Sequence, residues 1–157
     1  MKGTIDQGLF VSNLFEILDE TFENHHGIFL DRGTSLLQTL ESISPTQASI
    51  PVGGKCASLA AQVAHVEFYL GLLERLMQGE EVERVDWGEI WRTYCAVTPE
   101  EWAELKGRLE ATYRRVSKTM HGIEDWDDDR RIGGAMASVA HTPYHLGEIR
   151  QALCTLR

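Results

Sequence analysis

The 157 residues of this chain suffice for one ordinary domain and leave little room for two, so we expect a single domain over 1–157. Hydrophobic residues make up 43% and charged residues 25%, enough apolar material to bury a core and to exclude wholesale disorder. Lys and Arg number 15 against 24 Asp and Glu, a formal net charge of −9. Because DNA and RNA are bound largely through Lys and Arg on phosphates, this charge argues against a nucleic-acid ligand.

The first residues and the apolar runs bear on the location of the protein. Residues 1–8 contain one Lys followed by an acid, with no apolar block behind them, which argues against a signal peptide. No stretch approaches the ~18 consecutive apolar residues that a membrane-spanning helix needs. We therefore expect a cytoplasmic protein with no membrane partner.

The three cysteines, Cys56, Cys95 and Cys154, lie far apart and form no CxxC pair. This spacing argues against a disulfide framework and against a cysteine-ligated zinc site. Cys154 follows an apolar helical pattern, so we predict that it is a small core residue.

The first part of the chain has a helical pattern. Apolar residues at helical spacing predict a first helix over 10–22. Ser35 and Gln38, in capping-box spacing, predict a short second helix. Pro45 is expected to end it, because the residue before a proline is biased away from helix. Proline and glycines predict a loop over 49–54.

The middle of the chain holds the longest regular segment. Apolar residues at threes and fours predict a helix over 57–77 that Gly79 stops. Residues 80–97 are ambiguous, with an acidic start and several aromatics. Thr98 predicts a helix start, because its side chain can cap the helix and Glu101 completes a capping box.

Two further segments complete the pattern. The helix that begins after Thr98 is expected to stop near Gly122, and an acidic loop then leads to a last helix over 132–156. Four substantial helices without alternating runs or repeats predict an all-α fold, a single-domain four-helix bundle. The long connections at 44–57 and 78–98 allow an arrangement other than simple up-and-down.

Three histidines are candidate metal ligands. His141 and His145 are four residues apart, so on a helix both imidazoles lie on one face. His65 lies in the most apolar segment, where an unpaired polar ring would cost on the order of 1–3 kcal/mol. A core histidine bonded to a protein acceptor explains a lone case, but facing helices are where bundles build metal sites.

The run AHTPYHLGEIRQ at 140–151 resembles the last-helix signature of the DinB-like (YfiT-like) metalloenzymes, a His-x-x-x-His-x-Gly-Gln-Ile-Arg type of run. The segment SLAAQVAH that ends at His65, and the glycine pair at 53–54, are similar to that family's second long helix and to the loop before it. The resemblance implies that His65, His141 and His145 bind a divalent metal, nickel or zinc, in a four-helix bundle that frequently dimerises.

Two residues of this run, Glu148 and Pro143, bear on the chemistry and the geometry of the candidate site. Glu148 stands where the family commonly has Gln, three residues past His145. It is a candidate catalytic residue that orients a histidine or takes a proton, or else a solvated charge. Pro143 removes a helical hydrogen bond, so either the helix kinks there, which could splay the two histidines, or it restarts with Thr142 as cap.

The remaining histidines and the tryptophans fit simpler roles. His25, His26 and His121 lie at helix ends, where a cation suits the helix dipole. The tryptophans are most simply core or rim packing: Trp87, Trp91, Trp102 and Trp126.

Three imidazoles leave one coordination position open, which is the pattern of catalytic rather than structural zinc sites. We therefore expect a metal-dependent enzyme that acts on a small molecule, although imidazole suits several metals. The resemblance implies a thiol-dependent S-transferase with a low-molecular-weight thiol, and metal-assisted hydrolysis is the alternative. A non-enzymatic metal-binding or stress-related interaction bundle is the rival. A homodimer is expected from the resemblance and from the tryptophans, because aromatics are enriched at interfaces.

Overall fold

A computed structural model describes residues 4–51 and 57–156. Within these residues the chain forms seven α-helices and no strand, and one isolated bridge joins Pro51 to Ser58. The all-α prediction is confirmed. The helices are α1 (Gln7–Phe22), α2 (Leu36–Glu41), α3 (Pro45–Ala48), α4 (Leu59–Met77), α5 (Trp87–Thr93), α6 (Pro99–His121) and α7 (Asp129–Thr155).

The four long helices begin where a side chain caps the first turn. Asp6 caps α1 and Ser58 caps α4, each by accepting a hydrogen bond from a backbone N–H of the first turn. Thr98 caps α6 and forms the predicted capping box with Glu101. Asp128 accepts from two backbone N–H groups, so α7 begins at Asp129, earlier than the predicted start at 132.

The short elements differ from their predictions. The side chain of Ser35 does not cap α2, because its hydroxyl donates to the Gln38 side chain instead. Pro45 is the first residue of α3, capped by Ser44, since a proline at this position needs no N–H partner. The ambiguous segment contains the seven-residue helix α5.

The directions of the long helices follow from their contacts. From His65 to Met77 along α4, the partners on α7 run from His141 back to Gly134, so these two helices are antiparallel. Helix α6 runs parallel to α4, because Thr112 contacts Glu67 and, two turns further along both helices, Thr119 contacts Glu74. Helix α1 runs opposite to α6, with Phe22 stacked on Tyr113 and Phe15 on His121. The prediction that the long connections permit something other than up-and-down is confirmed.

Close packing of α4 on α7 sets the site. A Cβ added at Gly134 would lie 2.5 Å from Cγ of Met77, so a larger residue there would displace the Met77 side chain. Helix α7 continues through Pro143 without interruption, so a restart capped by Thr142 is wrong.

The remaining sequence predictions concern the cysteines, the glycine pair at 53–54 and membrane-spanning helices. Cys154 is exposed, and Ala152 is the buried residue of that last turn, so the prediction of a core cysteine is wrong. Cys56 and the glycine pair at 53–54 lie outside the described residues. None of the helices described is long and apolar enough to cross a membrane.

Candidate metal centre

Three imidazoles meet between α4 and α7. Nε2 of His141 lies 3.0 Å from Nε2 of His65 and 3.2 Å from Nε2 of His145. The candidate ligand atoms of the three residues all lie within 4.8 Å of one another. The structure therefore brings together the three histidines that the sequence singled out.

The helices position these rings by simple periodicity. His65 lies near the middle of α4 on the face that packs against α7. His141 and His145 are one turn apart on α7 and point the same way. Pro143 lies between them, but the two Nε2 atoms stay 3.2 Å apart, so the proline does not splay the rings.

Burial keeps the three rings neutral. Burial, and then the nearby His145, lowers the pKa of His65 to about 4, against a smaller opposing effect of Glu148. Burial and the other two rings lower the pKa of His141 to about 4. Burial also lowers the pKa of His145, although Glu148 partly offsets it. Neutral imidazole is the form that binds a metal ion.

The three Nε2 atoms do not satisfy one another. Nε2 of His141 is close to both other rings, but a single N–H can donate to only one of them. At least one Nε2 at the centre therefore lacks a full hydrogen bond within the cluster, whichever tautomers are present. A cation at the common point would accept all three lone pairs at once, so the donor set fits a divalent ion.

The outer nitrogens of the cluster are also short of partners. Among the described residues, no aligned hydrogen bond reaches Nδ1 of His65, His141 or His145. Oε2 of Glu148 lies 2.9 Å from Nδ1 of His145, off the direction of its N–H bond. Glu148 thus lies on the far side of the ring from the Nε2 cluster, with its side chain 38% exposed.

Aromatic rings surround two of the histidines. Trp91 stacks on His65 with ring centroids 4.6 Å apart, and Trp87 meets His65 edge-on at 5.5 Å. Tyr69 lies against His141 at 4.0 Å. Tyr69 was not among the candidate site residues predicted from the sequence. Its position four residues after His65 nevertheless places it one turn further along the same face of α4.

The other histidines lie apart from this cluster. His26 contacts Asp19, with Nε2 and Oδ2 2.5 Å apart, and His25 is exposed. The ring of His121 stacks on Phe15, and its Nδ1 lies 2.8 Å from the carbonyl oxygen of Ser117. Trp102 is buried and donates to the carbonyl of Ile43.

Comparison of the chain with protein-family models, with curated proteins and with solved structures finds no match in any of the three. The site itself therefore carries the functional argument. Among the described residues, it is a group of three histidines that could hold a metal ion.

Proposed function

We propose that the chain is a metalloprotein of the DinB-like type, a four-helix bundle in which His65, His141 and His145 bind one divalent ion, nickel or zinc. The observation that carries the proposal is the convergence of three neutral Nε2 atoms at one buried point. Three protein ligands leave a position for a small molecule, which supports an enzyme rather than a structural site.

The reaction we propose is thiol-dependent transfer to a small electrophile, with metal-assisted hydrolysis as the alternative. A divalent ion supplies a Lewis acid that lowers the pKa of a thiol or water at its open position. The protein's own residues hold three ligands neutral, exclude water through the buried faces of α4 and α7, and orient the rings.

Glu148 is the candidate for proton handling and for orientation. The ligand histidines cannot act as general bases, because their Nε2 lone pairs are given to the ion. Since Glu148 lies 2.9 Å from the outer nitrogen of His145, a small side-chain rotation would let it accept the Nδ1–H and fix that ring. Its partial exposure also lets it exchange protons with solvent.

The decisive experiment removes any bound metal, reloads the protein with Ni²⁺ or Zn²⁺, and then measures the metal content per chain and the affinity for the ion. Wild type should bind one ion per chain, and His145→Ala should lose it. His121→Ala is the matched control, because it removes an imidazole outside the cluster and should keep the metal. Equal binding by both variants would contradict the proposal. If metal binds but a panel of thiols and electrophiles shows no turnover, the enzymatic part fails alone.

A non-enzymatic metal-binding role is the second candidate, and one observation favours it. A surface cavity of ≈ 410 Å³ is lined by residues of 68–90, including Phe68 and Ile90, and by none of the three histidines. The rings of His65 and His141 are instead covered by aromatic side chains. Metal held without exchange of a small-molecule ligand would support this role.

The homodimer is a further part of the proposal. Of the tryptophans that suggested it, Trp102 and Trp126 are buried within the chain and Trp91 is half-buried, so only Trp87, 37% exposed, still offers an aromatic surface. The dimer therefore depends mainly on the resemblance. Sedimentation at micromolar concentration tests it, and a single monomeric species would contradict it.

A further inference from the structure

The aromatic cover of the histidines forms one continuous surface. We call Tyr69, Trp87 and Trp91 the aromatic wall. Trp91 and Trp87 contact His65 at 4.6 and 5.5 Å between ring centroids, and Tyr69 contacts Trp87 at 5.8 Å. The wall therefore covers the cluster with two indoles and one phenol.

The wall leads from the buried cluster to the surface. Trp91 and Tyr69 are half-buried, whereas Trp87 is 37% exposed. On its outer side Trp87 meets Phe68 edge-on at 5.9 Å, and Phe68 lines the ≈ 410 Å³ cavity. Trp87 thus lies between an open cavity and the ring of His65.

Two of the three wall residues lie on a lightly held element. Helix α5 has seven residues, and none of them is buried. Its N-terminal turn is held by Asp86, which also pairs with Arg92, in an exposed ion pair of small energetic value. Elements with few buried contacts open at low free-energy cost, so Trp87 and Trp91 can shift to admit a ring.

The aromatic side chains of the wall favour one class of ligand. Aromatic faces favour flat apolar groups through stacking and area burial. An anionic or strongly hydrated body placed against them would lose water without gaining partners. A ligand with a flat ring can replace the stacking that Trp91 now gives to His65.

We infer that the aromatic wall receives the organic part of the small molecule that the metal binds, and that this molecule is a small aromatic compound with one metal-binding group. This inference rests on the proposed metal site. It deepens that proposal by naming a substrate class and three specificity-determining residues, none of which is a metal ligand.

The test compares two probes that differ only in their organic part. Protein loaded with Co²⁺ is titrated with benzohydroxamate and with acetohydroxamate, and the visible cobalt spectrum reports binding. We expect benzohydroxamate to bind about tenfold more tightly, as stacking and added apolar contact allow. Trp87→Leu and Trp91→Leu should each reduce the ratio of the two affinities. Phe29→Leu, at an exposed aromatic far from the cluster, should keep it.

Each outcome of this titration supports or contradicts the inference. Equal affinities for the two probes in the wild type, with cobalt bound, would overturn the wall's role and leave the metal site standing. A preference that survives both tryptophan substitutions would also overturn it. A cobalt spectrum identical to that of the free ion would remove the metal site and the inference with it. The wild-type comparison stands even if a variant fails to fold.

Discussion

Two buried polar sites of this molecule are built in opposite ways. The carboxylate of Glu20, fully buried on α1, accepts hydrogen bonds from four successive backbone N–H groups, those of residues 27–30. Of the three histidines between α4 and α7, His65 and His145 are also buried and His141 is half-buried, yet their Nδ1 atoms lack aligned partners among the described residues. One site is saturated by its own chain, and the other is not.

The difference separates a structural site from a candidate functional one. Burial alone would raise the pKa of Glu20, but the backbone hydrogen bonds outweigh it and lower the pKa. This carboxylate fixes the loop after α1 and has no capacity left for a ligand. Each unpaired buried group costs about 1–3 kcal/mol, so the three Nδ1 atoms lower the stability of the cluster, while its Nε2 atoms remain available to a cation.

The largest expected effect is on metal affinity. His141→Ala removes the ring that touches both other ligands, so affinity should fall by at least about 100-fold, beyond the loss that outer partners cause. The free energy of unfolding of the metal-free protein should change little, because the ring that is removed has an Nδ1 atom without a hydrogen-bond partner among the described residues. Calorimetric titration and urea unfolding measure the two quantities. A large loss of metal-free stability would put the cluster in the same class as Glu20.

Glu20→Gln should show the reverse pattern. The Gln amide has the same shape as the carboxylate but carries no charge, and its NH₂ group would face backbone N–H groups that are themselves donors. The free energy of unfolding should therefore fall by about 2–3 kcal/mol. Metal affinity should stay near that of wild type, since Glu20 lies outside the cluster. Glu16→Gln, at an exposed position on the same helix, is the matched control. Equal stability of the two variants would refute the structural role.

The two sites should also differ in pH dependence. The unfolded chain binds protons near the ordinary histidine pKa of 6.5, whereas His65 and His141 bind them in the fold only near pH 4. Stability of the metal-free protein should therefore fall as pH drops from 6.5 toward 4, by roughly 1 kcal/mol per pH unit for each of these two rings. The contribution of Glu20, with its pKa below 4.5, should be lost only at lower pH. Urea unfolding at pH 7.5, 5.5 and 4.5 measures this, and a flat profile above pH 5 would contradict it.

The smallest effect is expected at Glu148. Because its carboxylate lies beside Nδ1 of His145 but is partly exposed and off the N–H direction, Glu148→Gln should lower metal affinity by about tenfold, the low end for such partners. Glu148→Ala should lower it at least as much. Competition with a chromophoric chelator measures both. Unchanged affinity in both variants would make Glu148 a solvated charge.

Local rules account for what could be predicted. The capping box of Thr98 and Glu101 and the spacing of His141 and His145 depend on residues three or four apart, which share a helical turn in any fold. Other local patterns misled: Cys154 follows an apolar pattern but faces solvent, because the pattern does not say which face of the last turn meets α4.

The sequence by itself therefore determined the four long helices, the approximate starts of most of them, and the three histidines as a candidate set, but not α3 or α5. Only the tertiary structure decided that His65 meets His141, that α5 brings Trp87 and Trp91 onto the cluster, and that residues 27–30 enclose Glu20. These contacts join residues far apart in the chain or in loops without periodicity. They depend on helix directions and close approach, as at Gly134 and Met77, which no short-range pattern encodes.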